Sequence, residues 1–179
     1  QTTHAGKKKK MTVYLDSTLV IRQLVGTKTP WPGWGAWDAA YASALMRTEC
    51  YRTANLLRLS GKLDDEQRAR LGTWIERVCK SVTIVPVTDG VLQRAADAFP
   101  TAVGTVQAIH LATLLELKSV HDITCLVATA DDELLRAAES MGFSDALKAP
   151  LKPEPEPAAK ESAPKDKDKD DASADAASA

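Results

Sequence analysis

The 179-residue chain has room for one ordinary domain with a sizeable core and little more. Apolar residues make up 44% of it and the formal net charge is −1. That balance excludes the strongly basic surface of a protein that grips duplex nucleic acid by charge alone, and leaves room for a small nucleic-acid site bridged by metal ions. The charge is unevenly placed. The first ten residues carry four Lys and no acid, and the last thirty carry five Lys against eight acids. Residues 1–10 therefore read as a basic N-terminal extension. Residues 150–179, built from Pro, Ala, Ser, Lys, Glu and Asp with one Leu, read as a disordered tail whose apolar surface is too small to offset its ordering entropy. The domain is then expected over residues 11–149. No apolar run approaches the roughly 20 residues needed to cross a bilayer, and the first ten residues lack the apolar core of a secretory signal. Cys50, Cys79 and Cys125 are odd in number and without CxxC spacing. They are expected to be free thiols of a cytoplasmic protein.

In chain order, strands alternate with helices. "MTVYLD" is a strand ending at Asp16, after which Ser17 is placed to cap a helix through "TLVIRQLV". Residues 26–35 form a breaker segment with Pro30, Pro32, Gly33 and Gly35. Trp31, Trp34 and Trp37, at a spacing of three, serve there as anchors on the core, as a partner surface or as a stacking platform for bases. "AYASAL" is a short strand, and "MRTECYRTANLLRL" a helix ending before Gly61. Asp64, Asp65 and Glu66 open a helix to about Lys80, since acids suit its positive end, with Leu71, Trp74, Ile75 and Val78 as its apolar stripe. "VTIVPV" is a strand, and Thr88 caps a helix to about Phe99. Gly104 and Thr105 lead into the helix of "VQAIHLATLLEL", with Ala108, Ile109, Leu111 and Ala112 clustered on a face. "ITCLVAT" is the near-continuous apolar run expected of a parallel strand covered on both faces. Asp131 follows it, and "DELLRAAESMG" is a helix closed by Gly142.

This alternation argues an α/β domain around a parallel sheet, in which ligands bind beyond the carboxyl ends of the strands. Asp16 and Asp131 both stand at such ends. Each acid has an ordinary explanation when taken alone. Asp16 and Asp131 can cap the helices that follow them, Asp132 can be a helix-start residue, and Glu49 can be a solvated charge. Yet Leu45, Met46 and Cys50 surround Glu49 and suggest that it faces inward. The joint pattern of acids is more specific than any one of them.

That pattern resembles the PIN-domain family, and within it the VapC-type toxin ribonucleases. The resemblance runs from Met11 to about Phe143, on "VYLDSTLVIRQL", "SALMRTECYR", "VQAIHLATLLEL" and "LVATADDELLRAAESMGF". It implies a PIN-like central parallel sheet flanked by α-helices, and a carboxylate cluster that binds Mg²⁺ or Mn²⁺. Asp16, Glu49 and Asp131 fall on three acids of that cluster, and Gln107 or Asp132 stands as an additional ligand. The implied activity is an endoribonuclease acting on single-stranded or structured RNA, with a cognate antitoxin as partner and room for a homodimer. Mg²⁺ prefers oxygen ligands and keeps several waters, so two or three carboxylates suffice to hold it against a phosphate.

The fourth family acid falls on Gln107, which can offer a cation an oxygen but no charge. Weaker occupancy of one metal site is the expected consequence. Thr129, two residues before Asp131, is placed to hydrogen-bond a carboxylate or a metal-bound water. His110 is expected to be a helix residue packed or hydrogen-bonded locally. The rival reading is a catalytically weakened PIN module that binds RNA or a protein. A nucleotide-binding α/β domain is disfavoured, because no Gly-rich phosphate loop follows the first strand.

Overall fold

A computed structural model describes residues 11–26 and 30–150. The N-terminal extension and the tail from residue 151 lie outside the described residues. The chain runs β1 (Thr12–Leu15), α1 (Ser17–Val25), β2 (Ala39–Ser43), α2 (Leu45–Leu59), α3 (Asp65–Ser81), β3 (Thr83–Val85), α4 (Asp89–Ala96), α5 (Thr105–Ser119), β4 (Leu126–Ala128), α6 (Asp132–Ser140), β5 (Ser144–Asp145) and a 3₁₀ turn (Ala146–Lys148). The five strands form one sheet in the order β3-β2-β1-β4-β5, and every pairing is parallel. The fold is an α/β, PIN-like sheet flanked by helices. Among the described residues, no helix is long and apolar enough to cross a membrane.

The pleat of β1 divides the core. Successive strand residues point to opposite faces. Val13 and Leu15 pack with Leu19, Val20, Met46, Cys50, Leu71 and Ile75 from α1, α2 and α3. Tyr14 points the other way, into a second cluster with Leu111, Leu114, Leu117, Val127 and Leu134 that α5 and α6 cover. Both faces are thus buried, which accounts for the uninterrupted apolar runs of β1 and β4.

Several local readings need correction. Ser17 is the first residue of α1 rather than its cap; Asp16 caps the helix, its carboxylate accepting from Thr18 N at 3.2 Å. An Asp already in extended conformation at the strand end reaches the free N–H groups of the first turn better than the residue after it. Trp74 leaves the expected stripe of α3. Leu71, Ile75 and Val78 are buried, but Trp74 is 49% exposed with the Arg77 guanidinium 4.7 Å from its ring centre. It lies at the margin of that face, over a groove lined by Leu24, Val25, Leu63 and Leu71. "ITCLVAT" yields only Leu126–Ala128 as paired strand, since β1 beside it is four residues long. In the loop before β2, Trp31 is buried, stacks on Trp37 at 6.1 Å between ring centres, and packs into the core with Trp34 and Trp37 against it. The tryptophans are therefore loop anchors.

Candidate active site

The strand order reverses between β1 and β4, whose chains leave their carboxyl ends side by side. Leu15 pairs with Ala128, so Asp16 and Thr129 follow on adjacent strands. A crevice at such a reversal is where open α/β sheets place ligands. Asp16 N donates to Ala128 O at 3.0 Å, which fixes the backbone there.

The two carboxylate oxygens of the buried Asp16 have separate partners. Oδ2 accepts from Thr18 N, from the Thr18 hydroxyl, and from Thr129 Oγ1 at 2.8 Å. Oδ1 faces His110, with Nε2 at 3.5 Å. The same His110 Nε2 lies 3.0 Å from Glu49 Oε2. Glu49 is carried by α2, which begins two residues beyond β2, and its side chain is 25% exposed. One oxygen of Asp16, one of Glu49 and a ring nitrogen of His110 all lie within 4.8 Å of one another. Two carboxylates and an imidazole are a donor set suited to a divalent cation, and one of the acids reaches the surface.

His110 contradicts its local reading. It is 1% exposed, and its partners are remote in sequence: Glu49, and Tyr14, whose hydroxyl is 2.7 Å from Nδ1. Burial alone lowers the imidazole pKa, but the hydrogen bond to Glu49 and the charges of Asp16, Glu49 and Asp131 outweigh it, and the net shift is upward. Tyr14 is held well above its ordinary value by burial and by the charge of Asp16, so it is a neutral phenol. One signal for His110 was available in the sequence. It stands three residues after Gln107 on α5, and residues three apart share a helix face.

Asp131 sits a short way off. It caps α6, with Oδ1 accepting from Glu133 N at 2.8 Å and Leu134 N at 3.1 Å. Its Oδ2 accepts from Gln107 Nε2 at 3.0 Å. It is outside the group formed by Asp16, Glu49 and His110, although its charge acts on His110. Thr129 links the two strand ends, since Oγ1 donates to Asp16 and accepts from Asp131 N at 3.0 Å. Asp132 is the exposed first residue of α6.

Comparison with known proteins gives the fold a relative. No family model and no curated protein matches the sequence. Among solved structures, a chain from the structure of FitAB bound to an IR36 DNA fragment shares the fold with a TM-score of 0.52. The two are 21% identical, over 75% of this chain and 93% of that one. The likeness is one of fold.

Proposed function

We propose that this chain is a divalent-metal-dependent endoribonuclease that hydrolyses single-stranded RNA, and that it is the toxin of a cytoplasmic toxin–antitoxin pair. The observation that carries the reading is the convergence of Asp16 and Glu49 on one point beyond the switch in strand order, 3.5 and 3.0 Å from the same ring nitrogen. The PIN-like fold supports it, as does the resemblance of the acid-bearing segments to VapC-type ribonucleases.

A bound Mg²⁺ or Mn²⁺ supplies charge neutralisation at the phosphodiester and lowers the pKa of a water. The chain's own residues do the rest. Asp16 and Glu49 present negative oxygens to the cation. Thr18 and Thr129 hold Asp16 by the oxygen that faces away from it. Asp131 stands beside them at the crevice, fixed by the N-terminus of α6 and by Gln107, and adds its charge to the site. The donor set fits such an ion, because Asp16 Oδ1 has no hydrogen bond from the threonines that saturate Oδ2.

The test is RNA cleavage in Mn²⁺ by the wild type and by Asp16→Asn. Asn caps helices as well as Asp does, so the variant keeps α1 while losing the charge. Cleavage that falls by about 100-fold or more supports the reading, on the scale of losing a group that stabilises transition-state charge. Equal cleavage by both proteins removes it. A second reading, a weakened PIN module that binds RNA or a protein partner, is favoured by one feature: Gln107 occupies the place of a family acid and is hydrogen-bonded to Asp131.

A further inference from the structure

We infer that His110 supplies a direct nitrogen ligand to the divalent ion, so that the centre is Asp16, Glu49 and His110 and prefers a first-row transition ion such as Mn²⁺ or Zn²⁺ to Mg²⁺. The inference rests on the metal-dependent reading above and names the ion class it takes.

Three observations lead to it. First, the ring nitrogen is already in place. Nε2 faces Asp16 Oδ1 and Glu49 Oε2, and the three donor atoms span less than 4.8 Å. Second, Asp131 is committed elsewhere. One oxygen caps α6 and the other takes the Gln107 amide. Gln107 is itself fitted there: its Oε1 lies so close to Gly104 that an added Cβ would sit 2.7 Å away. The amide thus holds the third acid out of the group, in a position where a carboxylate could not donate to it.

Third, His110 has an orienting partner of the kind that metal-bound histidines use. A ligating imidazole hydrogen-bonds through its other nitrogen, which sets tautomer and ring orientation. Nδ1 meets the Tyr14 hydroxyl at 2.7 Å, from the central strand of the sheet. With Nε2 on the ion, Nδ1–H donates to the phenol oxygen. Thr113 of α5 also interacts with Tyr14, and its hydroxyl donates to Ile109 O at 2.8 Å. Tyr14 is a positioning residue in this arrangement. Imidazole suits transition ions, whereas Mg²⁺ is held by oxygen alone, and this sets the preference.

The experiment loads the whole chain with Mn²⁺ and records electron spin echo modulation, which detects a directly bound ¹⁴N. Calorimetry gives Mn²⁺ and Mg²⁺ affinities in parallel. The sequence holds three histidines. A His4→Asn, His121→Asn variant leaves His110 alone and is compared with His110→Asn, so the test stands even if the latter does not fold. Nitrogen modulation retained in the first variant is expected. Tyr14→Phe is expected to lower Mn²⁺ affinity by about tenfold or more while changing Mg²⁺ affinity less. Mn²⁺ bound without nitrogen modulation overturns the inference and leaves the nuclease reading standing. No Mn²⁺ binding at all overturns both.

Discussion

Gln107 Nε2 donates to Asp131 Oδ2 at 3.0 Å, which joins the position where the resemblance to VapC-type ribonucleases implies an acid to the acid that follows β4. Gln107→Asp breaks this bond and puts a second negative charge beside Asp131. Two effects of opposite sign follow. The metal-free protein loses a charge-assisted hydrogen bond, a loss of about 1.5–3 kcal/mol, and gains repulsion. The ion meets one more full charge in a crevice that screens less than bulk water, so Mn²⁺ affinity and RNA cleavage both rise, affinity by about tenfold or more. Calorimetric metal titration, thermal melts without metal and a cleavage assay measure these separately. Unchanged affinity would place Gln107 outside the electrostatic reach of the ion.

Thr129 ties the same two strand ends together. Thr129→Val keeps the shape but removes a donor to Asp16 and the acceptor for Asp131 N. The expected loss is about 1–3 kcal/mol of stability by denaturant titration, because buried polar groups are left unpaired. Thr129→Ser is expected to recover most of it. If serine recovers nothing, the threonine methyl matters and the hydroxyl does not.

How far the sequence revealed this site depends on the range of the interactions. The strand-end positions of Asp16 and Asp131 are legible because a strand end is a local feature, with an apolar run stopping at a polar residue. That each also caps the helix after it is legible too, since the cap and the strand end lie at the same turn. His110 carries only the weak signal of its spacing from Gln107, because its environment comes from Tyr14 and Glu49, 96 and 61 residues away. The surface of α5 hides it further. The helix buries Ala108, Leu111, Ala112, Thr113, Leu114 and Leu117 on several sides, so no polar face singles out one position. Trp74 departs from its stripe for a related reason: a large apolar residue at the margin of a helical stripe follows whichever neighbour covers it, and periodicity does not name that neighbour. Boundaries suffered least where a side chain sets them. Thr88 caps α4 and Asp64 caps α3 in a reciprocal pair with Gln67, as short polar residues ahead of apolar periodicity imply.

The tryptophan loop makes a separate prediction about stability. Gly33 lies against Trp31, and a Cβ there would sit 2.5 Å from ring atom Cε2. Neither Gly33→Ala nor Trp31→Ala is expected to touch the acids, yet both destabilise the domain. Trp31→Ala costs about 3–5 kcal/mol, as for other large-to-small changes in a packed core. Gly33→Ala acts by forcing the ring off its seat, at about 1–3 kcal/mol. Combined, the two changes should cost less than their sum, because the added methyl no longer meets a ring. Strict additivity in urea titrations would show that the loop does not press on Trp31.

The thiols give a prediction with a pH sign. Burial pushes Cys125 up to about 12, and burial with neighbouring charge does the same to Cys50. An unfolded thiol titrates near ~8.5. Folding therefore favours the protonated form. The stability linked to it is complete below that value and is lost as pH rises from there through about 12. The metal-free domain should weaken steadily above pH ~9, and Cys125→Ala should show a shallower decline even if it starts from a lower stability. Half-buried Cys79 is raised too, by burial and by Glu76, but it is the most accessible of the three. Iodoacetamide at pH ~8.5 should thus modify Cys79 first and leave Cys50 and Cys125 unreacted until denaturant is added, because the thiolate is the attacking form. Mass spectrometry of the peptides reads this directly. Alkylation of Cys125 in the native protein as fast as in urea would mean that the segment leading into β4 opens far more readily than its burial allows.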